Sequence, residues 1–342
     1  MKKLPEVIGA ILLLALFMTA CVRVTPAPMA TQEPLPTMTL VPTPLLDAQQ
    51  YLSEALDIIQ SNALNSKKVD WVQVRATAFA FEKDAKVPAD TYDTISYVLK
   101  QLGDHHSSFM TPDVANEMNN STIYNYPRPK GKLLEDKIGY VAVFEFNAQA
   151  EDQENKYADT IQNIIIELDK KSVCGWIVDL RDDMGGNMYP MIAGLGALIG
   201  EGELGSFKDA SGKTIHWYYR DGQSWLGDEP LTKVSQPEFL FNSDKTPVAV
   251  LIGPRTASSG EATAISFRGR PNTRFFGKPS YGLTTGNDVF PLSDGAIIIL
   301  TTVVELDRTG LEYGGKIIPD VVTSNPESDA TDWLRTQSAC KS

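Results

Sequence analysis

A hydroxyl set between a buried strand and a helix is the first place in this chain where chemistry can happen. The apolar run Pro247-Val248-Ala249-Val250-Leu251-Ile252-Gly253-Pro254 reads as a short buried strand. Thr256-Ala257-Ser258-Ser259-Gly260-Glu261 follows it, and Ala262 to Phe267 reads as a helix opening. A helix N-terminus offers unpaired N–H groups and the positive end of the peptide dipoles. Those groups can hold an oxyanion, which suits a serine that attacks a carbonyl. The same letters also describe a plain cap, with Thr256 or Ser258 at the helix start and Glu261 completing a capping box. A nucleophilic serine needs a base. The chain has three histidines, His105, His106 and His216, and an imidazole accepts a proton near neutral pH.

Other motifs flank this turn in a fixed order. Upstream, Trp176-Ile177-Val178-Asp179-Leu180-Arg181-Asp182-Asp183-Met184-Gly185-Gly186 is an apolar strand running into a glycine pair. Downstream come Leu292-Ser293-Asp294-Gly295, Leu300-Thr301-Thr302 and Gly314-Gly315-Lys316-Ile317-Ile318-Pro319-Asp320. Together, over residues 138–322, these motifs resemble the tail-specific (C-terminal processing) serine peptidase family. In that family a strand enters a Ser-Ala-Ser-Ala-Ser-Glu-like motif whose middle serine is the nucleophile, which here is Ser258. Glycines after a buried strand let the backbone approach a substrate and turn N–H groups inward. The resemblance implies that Gly186 and Ser259 supply such N–H groups as an oxyanion hole. Asp179 and Arg181 read as a pair that holds the turn.

One position departs from the family. Members with a Ser/Lys dyad carry the lysine in a Gly-Lys pair 25 residues after the serine, where this chain has Gly282-Leu283. Lys278 aligns elsewhere, just before Pro279. The segment Tyr281-Gly282-Leu283-Thr284-Thr285-Gly286-Asn287 resembles the nisin-resistance-type branch, which uses a Ser/His dyad. Leu102-Gly103-Asp104-His105-His106-Ser107-Ser108-Phe109 is similar to the Leu-Gly-Asp-x-His-Ser element of the histidine-using relatives. His106 is then the implied base. His216, in the alternating run Ile215-His216-Trp217-Tyr218-Tyr219, reads as a surface or pocket-wall residue. For a third group that orients the histidine, Glu305, Asp104, Ser107 and Glu261 are the candidates.

The elements that must position these residues are legible in outline. Residues 45–110 read as a small helical N-terminal domain, with Asp70 an N-cap and Pro88 opening a third helix that runs to Gly103. Residues 110–135 read as polar loop. The core, 111–326, contains strands at 138–144, 176–180 and 248–252, an amphipathic helix at 158–168, a helix at 188–199, and a strand-rich insertion at 203–245. Strands at 296–304 complete the α/β unit, and strands separated by helices argue a mainly parallel sheet. The family resemblance implies a crotonase-like (ClpP/crotonase) spiral core. Only 30 residues separate Ser107 from Ile138, too few for the PDZ domain of roughly a hundred residues that relatives often carry there. Residues 327–342 read as a C-terminal tail.

Residues 1–21 read as a lipoprotein signal peptide: Met1-Lys2-Lys3, an apolar run too short for an ordinary membrane span, then Thr19-Ala20-Cys21. Cys21 is the expected lipidated residue, and the Pro/Thr-rich stretch 22–44 reads as a tether. Only Cys174 and Cys340 then remain, and a bridge between them is one of two readings, a buried Cys174 the other. No Cys/His spacing resembles a metal site, and the reading needs no cofactor. The net charge of −12 argues against nucleic acid, whose binding rests on basic patches. The expectation is a serine peptidase anchored by lipid on the extracytoplasmic face of the cell membrane, acting on a peptide or protein substrate. A catalytically silent peptide-binding lipoprotein and an esterase are the alternatives.

Overall fold

The computed structural model describes residues 47–120, 126–148, 150–236 and 245–341. Three helices come first: α1 (Ala48–Asn62), α2 (Trp71–Phe81) and α3 (Tyr92–Gln101). Asp47 caps α1 by accepting the Gln49 and Gln50 N–H groups, and Asp70 caps α2 by accepting that of Gln73. Tyr51, Leu52, Ala55, Leu56 and Ile59 recur at helical spacing on α1 and are fully buried, as are Ile95 and Val98 on α3. Next come β1 (Ser108–Met110), α4 (Pro112–Asn120), β2 (Lys130–Leu134), β3 (Ile138–Ala142), α5 (Glu151–Asp169), β4 (Gly175–Asp179) and α6 (Met188–Ile199). A meander follows of β5 (Gly202–Asp209), β6 (Thr214–Arg220), β7 (Gln223–Leu226) and β8 (Glu229–Lys233). The chain then runs through β9 (Val248–Ile252), α7 (Ser259–Ile265), β10 (Thr273–Gly277), β11 (Thr285–Pro291), β12 (Ile297–Asp307), β13 (Val321–Val322) and α8 (Pro326–Thr336).

These strands form two sheets. The first has the order β13-β10-β9-β4-β3-β2, parallel except for β2. Its strands β4 and β9 are buried along their whole length, as expected of a parallel sheet covered by helices on both faces. The second is antiparallel, in the order β1-β12-β5-β6-β7-β8, with β11 on the other edge of β12. The helical region shares a core with this second sheet: α1 and α3 pack on Leu292, Ala296, Ile298 and Leu300. Asp294, in the β11–β12 turn, accepts the hydroxyls of Tyr51 and Tyr92 at 2.8 and 2.5 Å. The described residues form one compact unit.

Several sequence expectations change. The 296–304 strand does not extend the parallel sheet; it is β12 of the antiparallel one. Too few residues separate β11 from β12 for the crossover that a parallel pair requires, so the two close as a hairpin. The stretch expected as loop, 110–135, contains α4 and β2. Thr273–Gly277, which carries no strand pattern in the sequence, forms β10. Residues 327–341 are not a loose tail: α8 buries Ala330 and Leu334 against Ile177, Ala249, Leu251 and Phe276, and a Cys174–Cys340 disulfide ties its end to the start of β4. The signal-peptide and tether readings, and Cys21 with them, lie outside the described residues.

Candidate active site

Ser258 sits at the N-cap of α7, directly beyond β9, with φ 51° and ψ −123°. A non-glycine residue in that region costs ~1–3 kcal/mol and persists only where its surroundings over-determine it. Here they do. Thr256 Oγ1 accepts the Gly253 N–H and donates to the Leu180 carbonyl. The Ala257 N–H donates to the Asp183 carbonyl at 3.0 Å. Glu261 Oε2 accepts the Ser258 N–H at 3.0 Å, so the glutamate holds the Ser258 backbone in place. The same carboxylate accepts the Gly282 and Leu283 N–H groups and the Ser280 hydroxyl. Leu283, in the slot of the missing lysine, thus contributes its backbone and not its side chain.

The glycine pair lies against this turn. Gly185 and Gly186 have φ of 112° and 102°, which only glycine adopts without strain. A Cβ on Gly185 would fall 3.0 Å from Ser258 Cβ and 3.2 Å from the Ser259 nitrogen; one on Gly186 would fall 2.2 Å from the Phe146 carbonyl oxygen. The Ser259 hydroxyl donates to the Gly186 carbonyl at 2.5 Å. Among the described residues, neither the Gly186 nor the Ser259 N–H has an intramolecular acceptor. Both residues line a cavity of about 690 Å³ together with Ser258.

The far wall of that cavity comes from the antiparallel sheet. Thr285, Gly286 and Asn287 of β11 and Glu305 of β12 line it, and Tyr189, Phe207, Ile215 and Leu226 make an apolar end. His106 abuts this wall. Its Nδ1 lies 2.8 Å from Thr285 Oγ1, and its carbonyl accepts from Asn287 Nδ2 at 3.4 Å. The loop that delivers it is tied by Asp104, which accepts the His106 and Ser107 N–H groups and the Ser107 hydroxyl. Ser107 Oγ in turn accepts the Thr301 N–H. Burial pushes the His106 pKa below the usual imidazole value, against the opposing charge of Asp104. Its neutral, proton-accepting form is therefore favoured.

None of the four sequence candidates for an orienting group hydrogen-bonds the imidazole; Thr285 does. Asp104 and Ser107 hold the loop, and Glu261 holds the Ser258 turn. Glu305 is buried and lines the cavity, and its Oε2 has no partner among the described residues. Burial first, then the Glu261 charge, push its pKa well up. A threonine hydroxyl carries no sequence signal of such a role, and Thr285 joins His106 only through the pairing of β1 and β11 with β12. His105 is exposed. His216 lies on β6, paired with Glu203. Lys278 lines a different cavity, with Arg181, Asp182 and Arg255.

The profile of peptidase family S41 matches residues 137–323. Over 290 residues the chain is 30% identical to the nisin-resistance protein of Lactococcus lactis subsp. lactis, spanning 84% of this chain and 87% of that one. It is 25% identical over 197 residues to the carboxy-terminal-processing protease of Bartonella bacilliformis, 56% of this chain and 40% of that protein. Among solved structures, a lipoprotein from Streptococcus agalactiae superposes with a TM-score of 0.71 at 27% identity, covering 85% of this chain and 97% of that one.

Proposed function

The chain belongs to peptidase family S41, and from that premise we propose that it is a serine peptidase with Ser258 as nucleophile and His106 as base. The observation that carries this is the strained Ser258 turn opening on a cavity that is also lined by Thr285, whose hydroxyl hydrogen-bonds the His106 ring. With Nδ1–H donated to Thr285, Nε2 is the free basic nitrogen. Ser258 Oγ attacks the scissile carbonyl as Nε2 takes its proton. The oxyanion is received by the Gly186 and Ser259 N–H groups, and the imidazolium returns the proton to the leaving amine. Water then hydrolyses the acyl-enzyme with His106 as base again. The core 111–326, read as a crotonase-like spiral, forms this cleft, and the helical segment 45–110 delivers His106 to Thr285 at its edge.

The substrate is a peptide. The likeness to a nisin-resistance protein makes a peptide antibiotic of nisin's kind the first to try, and the net charge of −12 favours cationic peptides by long-range attraction. The enzyme acts outside the cytoplasm, held by lipid on Cys21. The similarity to a streptococcal lipoprotein and the Cys174–Cys340 disulfide support that compartment. Among the described residues no helix is long and apolar enough to cross a membrane.

Covalent labelling by a fluorophosphonate, read beside peptide cleavage, tests the dyad. Both should occur in wild type and vanish in Ser258→Ala; cleavage that survives in Ser258→Ala overturns the assignment. Metabolic lipid labelling of wild type and Cys21→Ala tests the anchor, which equal labelling of the two would refute.

A further inference from the structure

The loop that ends in Gly185-Gly186 contains a carboxyl group for which the dyad has no use. Asp183 is fully buried. Its Oδ1 accepts the Gly185 N–H at 3.1 Å, and its main-chain carbonyl accepts the Ala257 N–H at 3.0 Å. Its Oδ2 has no hydrogen-bond partner among the described residues. Helix α7 packs directly on it: a Cβ on Gly260 would lie 2.4 Å from the Asp183 carbonyl oxygen and 2.9 Å from its carboxyl carbon. One residue therefore grips both turns, Gly185-Gly186 by its side chain and Ala257-Ser258-Ser259 by its backbone. Resting on the reading of Gly186 and Ser259 as oxyanion donors, we propose that Asp183 is a positioning residue that sets how those two N–H groups converge.

The side chain does this as an uncharged acid. Burial pushes its pKa up to about 8, the Gly185 N–H opposing and the Glu145 charge adding to the rise. Glu145 acts from the segment after β3. Tyr157 of α5 donates its hydroxyl to the Phe144 carbonyl. Glu261 of α7 is engaged by Ser258, Ser280, Gly282 and Leu283. On its own loop, Arg181 pairs with Asp179, and Asp182 with Arg255. No cation is among the groups that shift it. Ionisation leaves an uncompensated negative charge beneath the donors that must receive an oxyanion, where low dielectric magnifies the repulsion. Activity therefore rises with pH as His106 loses its proton and falls again as Asp183 loses its own.

The rate of labelling by an alkyl fluorophosphonate reads this without a known substrate. Ser258 Oγ attacks phosphorus, the P–F bond breaks, fluoride leaves and His106 takes the hydroxyl proton, while the phosphonyl oxygen occupies the oxyanion position. Rates are measured on the full chain from about pH 6 to about pH 10. If Ser258 of wild type takes no label, the underlying reading falls and this proposal with it. If it does, Asp183→Asn should label within about twofold of wild type near pH 7 and lack the fall above about pH 8, because the amide keeps the acceptor and cannot ionise. Asp183→Ala should be slower by about 10- to 100-fold, the cost of misplaced donors. An alkaline fall shared by wild type and Asp183→Asn, or wild-type rates in Asp183→Ala, overturns the proposal. Should Asp183→Ala not fold, the wild-type and Asp183→Asn profiles still decide it.

Discussion

The two sheets supply opposite walls of one cleft by different means. On the parallel side, Ser258, Ser259 and Gly186 sit on turns at the ends of adjacent strands β9 and β4, and each turn is braced by hydrogen bonds to the other. Strand-to-turn geometry makes that wall almost by itself, because neighbouring parallel strands present their carboxyl ends together. On the antiparallel side, His106 arrives from the helical region and meets Thr285, 179 positions away in sequence. Nothing local brings them together. The pairings of β1 and β11 with β12 do, with Asp294 clasping Tyr51 and Tyr92 from the adjoining turn. A rigid local wall therefore carries the strained serine proposed as nucleophile, and a wall assembled at long range carries the histidine proposed as base.

Substitutions can break that contrast, and the nucleophile side should show the largest loss. Ser258→Ala should lower peptide cleavage by ~10⁴-fold or more. Ser258→Gly should be as inactive but thermally more stable than Ser258→Ala, since glycine accepts the positive φ without strain. Equal melting temperatures for the two would mean that the turn stores no strain. Next comes the base. His106→Ala should fall by ~10³-fold or more, and the double variant His106→Ala/Ser258→Ala should be no worse than Ser258→Ala, as members of one catalytic unit are non-additive. In wild type the acid limb should have its midpoint below the ordinary imidazole pKa, because burial favours neutral His106. A midpoint above that value would contradict the buried-base geometry.

The seam between the walls should respond more mildly. Thr285→Val keeps the shape and removes the Nδ1 partner. It should lower kcat by about 10- to 100-fold with little change in KM, since orientation and not binding is lost. An unchanged kcat would leave His106 oriented by another group. Smaller again is the effect of Cys174→Ser, which cuts the tie between α8 and β4 on the parallel sheet. It should destabilise the fold by ~2–5 kcal/mol in thermal or denaturant unfolding, yet leave the rate of the folded enzyme within about twofold. A collapse of kcat in the folded variant would couple that sheet face to the cleft.

The same contrast explains what could be read before the structure. Strands 138–142, 175–179 and 248–252, with the turns that follow the last two, show in the sequence because apolar runs, glycine pairs and serine turns are local signals. Helices α1 and α3 show in their apolar spacing, and α2 in the Asp70 cap at its start. Sheet membership did not. β12 is an apolar run like β9, and only its short hairpin connection to β11 separates the two cases. β10 is not legible because Arg274 interrupts a short run whose buried members are Phe275, Phe276 and Gly277. α8 was hidden by its charge: only Pro326, Ala330 and Leu334 are buried in Pro326–Thr336. Thr285 could not be singled out among the adjoining threonines, since the property that distinguishes it is the ring it touches.

Lys278→Ala should have the smallest effect, and it sharpens the comparison most directly. A Ser/Lys mechanism would place nucleophile and base on the same, locally built side of the cleft. This chain has Leu283 where such a lysine belongs, and the Leu283 N–H is already committed to Glu261. Lys278 is exposed just beyond β10 and lines a separate cavity with Arg181, Asp182 and Arg255. An amine on that separate cavity, which Ser258 does not line, is not placed to take the serine proton. Neutralising it should leave kcat/KM within about twofold, with a small change through the long-range field alone. That residual change should shrink as salt is raised, because exposed charges are screened over roughly 10 Å at 0.1 M ionic strength. A loss of several orders of magnitude in Lys278→Ala, with His106→Ala near wild type, would move the base to the parallel side and dissolve the division between the two walls.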